Sequence, residues 1–171
     1  MRELELAFEL ISLRLNNTIL NEISQTDISN AILIQEKIDG IEFGVDILND
    51  FQGKPWKVYV KEKLAMRSGE TDKSVLRDKP EIQRLAFNIG SSLGHFGNLD
   101  CDFFEAKGKF YLLEMNPRFG GGYPFTHHAG GNYVAAIISW IRKENYDFTS
   151  FREDFDQAFS KCDTLISVIS D

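Results

Sequence analysis

Cysteine, positive charge and long apolar runs are all scarce in this sequence, and each scarcity excludes something. Its 171 residues hold two cysteines, Cys101 and Cys162, which make neither a disulfide framework nor a zinc cluster. The longest apolar run towards the C-terminus, Tyr133 to Ile141, is far too short to cross a bilayer. Lys and Arg number 19 against 26 Asp and Glu, and the resulting net charge of −7 argues against a nucleic-acid-binding surface. The opening residues are charged and amphipathic and do not read as a signal peptide, so a cytoplasmic location is the default expectation. There is no internal repeat and no low-complexity segment. What is present is a globular composition, 43% hydrophobic and 26% charged, long enough for one domain with a real core. An acidic protein that handles phosphates must gather its cations locally or use a metal.

Residues 2–15 predict a helix. Leu4, Ala7, Phe8, Ile11 and Leu15 form one stripe, widened by Leu6, Leu10 and Leu13. So wide an apolar face needs a partner surface. Asn16-Asn17 breaks the pattern, and residues 21–31 read as a polar loop. Ala31 to Ile38 reads as a strand, Asp39-Gly40 as a turn, and Glu42 to Asn49 as a second strand. On that second strand Glu42, Gly44 and Asp46 share one face and Phe43, Val45 and Ile47 the other, as in a sheet lining a cleft. Trp56 to Met66 is a third strand, with Trp56, Val58 and Val60 on one side and Lys57, Tyr59 and Lys61 on the other. Short turns make this meander antiparallel.

Residues 67–80 read as a polar loop whose length suggests function. Pro80 opens a helix with the stripe Ile82, Leu85, Ala86, Ile89 and Leu93, and Gly94 is its C-terminal cap. Asn98 to Glu105 and Phe110 to Asn116 are strands joined by the turn Lys107-Gly108-Lys109. Phe125 to Asn132 reads as loop. Its adjacent histidines, His127 and His128, cannot share one face and so do not make a two-histidine metal site. Tyr133 to Arg142 is a helix with Val134, Ile137, Ile138 and Ile141 as its core stripe. Residues 143–160 read as irregular and Thr164 to Ser170 as a last strand at the sheet edge.

The stretch with most chemistry is Leu113-Glu114-Met115-Asn116-Pro117-Arg118, followed by three glycines. Strand side chains alternate, so Glu114 and Asn116 share a face. Pro117 cannot donate to a ladder, so pairing stops there. A carboxylate and an amide oxygen two residues apart suit Mg²⁺. A guanidinium beside them suits a phosphate oxygen. Taken alone, such residues are more often an ordinary polar strand end than a metal site. The preceding strand adds Asp102, which faces the same way as Asp100 and lies across from Glu114 and Asn116. Cys101 points away from them as a packing residue.

Three pieces together resemble the C-terminal part of the ATP-grasp superfamily, in particular carboxylate–amine ligases similar to the carbamoyl phosphate synthetase large chain. They are Gln35-Glu36-Lys37-Ile38-Asp39-Gly40-Ile41-Glu42, Asp100-Cys101-Asp102-Phe103-Phe104, and Leu113 to Arg118, and the likeness covers roughly residues 30–142. The resemblance implies an α+β fold, the ATP-grasp C-terminal lobe, with a mainly antiparallel sheet flanked by helices. It implies that residues 1–37 end a first, incomplete lobe and that 38–171 form a second lobe with a metal site. It implies that Glu36 accepts from adenine, that backbone groups of Lys37 and Ile38 pair with the ring edge, and that Glu42 holds the ribose. Asp102, Glu114 and Asn116 would bind one or two Mg²⁺ or Mn²⁺ ions bridging the phosphates of ATP. Arg118 would contact the phosphates or an acyl-phosphate, and Arg67 is a weaker candidate for phosphate or substrate.

The implied activity is ATP-dependent ligation. A carboxylate is activated as an acyl-phosphate and then attacked by an amine. The resemblance also leaves a gap. Nothing before Ala31 matches the family's N-terminal domain or its Gly-rich phosphate loop and strand lysine. The chain therefore reads as needing a missing N-terminal half or a partner chain, and as inactive in ligation alone. Its first helix is expected to favour self-association. Two other readings stay open: a non-catalytic nucleotide- and metal-binding fragment, and a metal-dependent phosphotransfer or hydrolase site on an unrelated antiparallel sheet.

Overall fold

The leucine-rich opening of the chain forms helix α1 (Arg2–Asn16), which buries none of its residues and leaves Leu4, Phe8 and Ile11 exposed. The computed structural model describes residues 2–18, 22 and 31–163. The chain divides into two units, Met1–Lys37 and Ile38–Asp171. Residues 31–38 form no strand, contrary to the sequence expectation. An extended segment becomes a strand only when a neighbour takes up its N–H and C=O groups, and among the described residues no strand pairs with it. The predicted loop over 21–31 and the predicted strand over 164–170 fall almost wholly outside the described residues.

The second unit is α+β, built on one antiparallel sheet. Its strands are β1 (Ile41–Asn49), β2 (Pro55–Arg67), β3 (Glu70–Leu76), β4 (Gly97–Ala106), β5 (Lys109–Asn116) and β6 (Ala158–Ser160). Among the described residues their order is β5-β4-β1-β2-β3-β6, so β1 runs down the middle and pairs with both β2 and β4. The edge position next to β3 is taken by Ala158–Ser160.

Residues 67–80 are not one long loop. Only Ser68 and Gly69 turn, with φ of 53° and 83°, and the chain returns at once as β3. Positive φ at both central residues matches the twist of the flanking strands, the usual solution for a two-residue hairpin. Thr71 and Ser74 are buried in that strand despite their polarity, which is why it reads as loop from composition.

Alternation along the strands sorts the residues onto two faces. One face packs against helix α2 (Pro80–Leu93), which opens on Pro80 and ends at Gly94 in the left-handed region. Phe43, Val45, Ile47, Val58, Val60, Leu99, Cys101 and Phe103 meet Ile82 and Ala86 there in a closed apolar core. Each fully buried side chain of this kind contributes about 1.5–3 kcal/mol. Cys101 is wholly buried among them, and that burial pushes its thiol up to about 12.

The other face is divided. At one end Leu48, Tyr59 and Leu76 are covered by Ala129, Tyr133 and Ala136. These come from the turn that follows the short helix α3 (Tyr123–His128) and from helix α4 (Tyr133–Ile141). Part of the predicted loop over Phe125 to Asn132 is thus helical. The predicted core stripe of α4 is also displaced. Val134, Ile138 and Ile141 are exposed, whereas Tyr133 and Ala136 are buried and Ile137 and Trp140 partly so. The Tyr133 hydroxyl, 3.2 Å from the carbonyl oxygens of Asp46 and Lys57, turns the helix onto that face. At the other end, among the described residues of this unit, no helix covers the sheet and its face is polar.

Candidate functional site

Hairpin geometry sets the site. β4 and β5 pair so that Asp102 stands opposite Glu114 and Asp100 opposite Asn116. A register shift between Asp102 and Phe103 leaves Leu113 as the extra residue, and it is this bulge that sends Glu114 and Asn116 to the polar face. β1 sets Gly44 beside Asp102 and Asp46 beside Asp100. β2 sets Lys61 beside Gly44 and Tyr59 beside Asp46. The result is a polar cavity of about 400 Å³, walled by Lys63, Asp102, Glu114 and Arg118 and by residues 119–122.

Glu114 is exposed, and the Asn116 amide donates to its Oε1 at 3.0 Å. Asp100 is more confined. Burial, with Asp46 close by, pushes its carboxyl up to about 6, partly offset by Lys61. A Cβ at Gly120 would come within 1.9 Å of Asp100 Oδ2, so only glycine lets the segment after Arg118 lie over that carboxylate. Arg118 Nη1 is 3.6 Å from Asp100 Oδ2 and donates to the Phe119 carbonyl at 3.1 Å, with more than half of the side chain exposed.

Lys63 stands in the middle of the polar face. Its Nζ lies 2.6 Å from Glu42 Oε1 and 2.7 Å from Asp102 Oδ2, with only 7% of the side chain exposed. Burial alone would depress the ammonium, but the hydrogen bonds to Asp102 and Glu42 outweigh it and hold the pKa above the usual lysine value.

Beneath the cavity sits a sealed polar cluster. Asp46 and Lys61 form a buried ion pair. The Thr126 hydroxyl accepts from Lys61 at 2.8 Å and donates to Asp46 at 2.5 Å. Asn98 donates to Asp46 Oδ1 and to the Arg118 carbonyl, each at 3.1 Å, tying the loop that carries Arg118 to the middle of the sheet.

The sequence-predicted residues divide clearly. Glu42, Asp102, Glu114, Asn116 and Arg118 all belong to the second unit, and Glu42 and Asp102 are joined through Lys63. Arg67 does not wall the cavity. It is exposed at the end of β2 and held by Asp72 at 3.0 Å and Asp163 at 3.2 Å. Glu36 and Lys37 lie exposed in the first unit, on a segment with no helix or strand, while Ile38 opens the second unit half-buried. Lys61, Lys63, Asn98 and Thr126 are site residues that the sequence reading missed. For the two lysines a signal existed: counting by two from Tyr59 along β2 puts both on the face of Asp46. Thr126 and Asn98 had none, because their partners lie 80 and 52 residues away.

The donors on this face are oxygens, the chemistry of a hard cation. Among the described residues no three His, Cys, Asp or Glu side chains form a ready metal cage. Two facing carboxylates and an amide instead match a Mg²⁺ that takes its remaining ligands from a phosphate chain and water.

Comparison with known proteins gives one consistent result. A family model described as ATP-grasp in the biosynthetic pathway with Ter operon matches residues 29–160. The carbamoyl phosphate synthase arginine-specific large chain of Geobacillus stearothermophilus is 28% identical over 125 residues, covering 68% of this chain and 12% of that protein. The carbamoyl phosphate synthase large chain of Clostridium perfringens is 26% identical over the same length and coverage. The chain thus spans about an eighth of these curated relatives. Among solved structures, a biotin carboxylase from Campylobacter jejuni, in complex with β,γ-ATP, superposes with a TM-score of 0.57 at 13% identity, over 72% of this chain and 30% of that one. Rhizobium etli pyruvate carboxylase gives 0.56 at 17% identity, over 71% and 13%. At such identities these two structures speak for the fold. Among the described residues no helix is long and apolar enough to cross a membrane.

Proposed function

The chain belongs to the ATP-grasp family, and from that premise we propose that the polar face of its sheet is the metal- and nucleotide-binding wall of an ATP-dependent carboxylate–amine ligase. The reading rests on one observation above the others: Asp102 and Glu114 face each other across the β4–β5 pair, beside a cavity walled by a guanidinium.

Each residue then has a task. Asp102, Glu114 and Asn116 would hold Mg²⁺ or Mn²⁺, which, when bound, neutralises the triphosphate and aligns its terminal group. Glu42 would accept from the ribose hydroxyls, and Glu36 with the Lys37 and Ile38 backbone would read adenine. Arg118, tethered through its carbonyl by Asn98, would meet the transferred phosphoryl group with a fixed fork of donors. Arg67 keeps a minor claim, since Asp72 and Asp163 already occupy it. In the reaction, a substrate carboxylate oxygen takes the terminal phosphoryl group and ADP leaves. An amine nitrogen then attacks the acyl carbon, the acyl C–O bond to phosphate breaks, inorganic phosphate leaves with the proton given up by the nitrogen, and an amide forms. The sealed Asp46–Lys61–Thr126 cluster touches no substrate and supports the floor of the site.

The test is calorimetric titration of the chain with ATP, with and without Mg²⁺, alongside Glu114→Ala. Binding should need Mg²⁺, favour ATP over GTP and weaken by about tenfold in the variant, or about 1.4 kcal/mol. Metal-independent binding that ignores the substitution would contradict the proposal. Release of ADP with a carboxylate and an amine present separates a catalytic wall from one that only binds.

A further inference from the structure

The position of Lys63 carries a consequence for how the site is loaded. Its ammonium bridges Glu42 and Asp102 at 2.6 and 2.7 Å, so one oxygen of a candidate metal carboxylate is already neutralised by a side chain. The lysine is held there on purpose-built ground. Gly44, on the strand beside it, leaves the stem room: a Cβ there would come 3.3 Å from Lys63 Cε and 3.8 Å from Asp102 Oδ1. The second lysine of the strand, Lys61, is consumed by Asp46 and Thr126 below. The only other cation walling the cavity among the described residues is Arg118, which leans towards Asp100. Lys63 is therefore the cation that balances Glu42 and Asp102 when nothing is bound.

Two cations cannot both sit on Asp102 at close range without strong repulsion in a half-buried site. A bare divalent ion must displace the ammonium from Asp102 and leave it on Glu42 alone, close beside a second cation. A metal–triphosphate complex brings its own anionic oxygens, onto which the flexible four-carbon stem can swing its ammonium. Resting on the metal-site reading above, we infer that Lys63 is a resident counter-cation that keeps free divalent ions off Asp102 and yields the site only to a metal–nucleotide complex. The site then loads metal and nucleotide together, and the lysine passes from carboxylate to phosphate as it does so.

The experiment measures Mn²⁺ binding to the full chain by electron paramagnetic resonance, first without nucleotide and then with a non-hydrolysable ATP analogue. The proteins are wild type, Lys63→Met, Lys63→Arg, Glu114→Gln and the Lys63→Met/Glu114→Gln double variant. Without nucleotide, Lys63→Met should bind Mn²⁺ about tenfold or more tighter than wild type, a gain of about 1.4 kcal/mol. Lys63→Arg, which keeps the charge, should match the wild type. With the analogue present the order reverses, and Lys63→Met becomes the weaker binder. In the double variant the gain should vanish, which locates it at the metal carboxylates. If Lys63→Met does not fold, Lys63→Gln is measured in its place with the same expected direction. A Lys63 variant that folds but binds free Mn²⁺ no better than wild type overturns the counter-cation role, and if Glu114→Gln still lowers Mn²⁺ binding the metal site itself stands. If Glu114→Gln changes nothing with or without nucleotide, the metal reading fails and this inference fails with it.

Discussion

Asp46 and Lys61 are paired under the floor of the cavity with 0% and 2% of their side chains exposed, and Thr126 bridges them. Breaking a buried pair from one side strands the other charge. Lys61→Met should therefore destabilise the protein by about 3–5 kcal/mol. Replacing both charges, as Asp46→Leu with Lys61→Met, should cost much less than the sum of the single changes. Urea denaturation of the three variants measures this, and strictly additive costs would show that the two side chains do not act as a pair.

Gly120 supports a second prediction. Because a Cβ there would collide with Asp100, Gly120→Ala must push the Arg118 loop off the hairpin. The melting temperature should change little, since the loop lies at the surface. Affinity for Mg-ATP should fall by about tenfold, or about 1.4 kcal/mol. Titration with an affinity equal to wild type would show that the loop does not shape the site.

Asp50 gives a pH dependence away from the site. Burial tends to raise its carboxyl, but hydrogen bonds from the Trp56 indole and the backbone N–H groups of Lys54 and Gln52 outweigh this and hold its pKa below the usual carboxylate value. A carboxyl depressed by folding adds stability that is fully present above its unfolded pKa and is lost as pH falls through the folded one. Wild type should therefore be more stable than Asp50→Asn near neutral pH, and the gap should close below about pH 4. Trp56, whose indole N–H donates to Asp50 at 2.7 Å, is a local fluorescence probe. A gap that is constant down to pH 3 would contradict the account.

Helix α4 tests the face assignment. Ile138 is exposed and Tyr133 fully buried. Ile138→Ser should change stability by no more than about 0.5 kcal/mol. Tyr133→Ala should cost about 3–5 kcal/mol. Equal costs in thermal melts would mean that the buried face is wrongly assigned.

Much of this was legible in the sequence because it depends on local rules. Alternation separated Glu42 and Asp46 from Phe43 and Val45, and Pro80 and Gly94 bounded α2. The Lys107-Gly108 turn told that Asp102 and Glu114 would meet. The failures share a cause as well. Thr71 and Ser74 hid β3, because burial between neighbouring strands overrode their polarity. The stripe on α4 was misplaced because its orientation is set by a hydroxyl reaching backbone of β1 and β2, far away in sequence. Lys63 was missed because a charged side chain on a strand reads as solvent-facing until its partners on β1 and β4 are known.

The central claim is that the Asp102–Glu114 face binds a metal ion with its nucleotide. Crystals of the chain grown with Mn²⁺ and a non-hydrolysable ATP analogue test it most directly, through the anomalous signal of the metal. The account predicts a peak about 2.0–2.2 Å from carboxylate oxygens of Asp102 and Glu114, with triphosphate oxygens completing the shell. A nucleotide bound with its metal anywhere else on the molecule would contradict it.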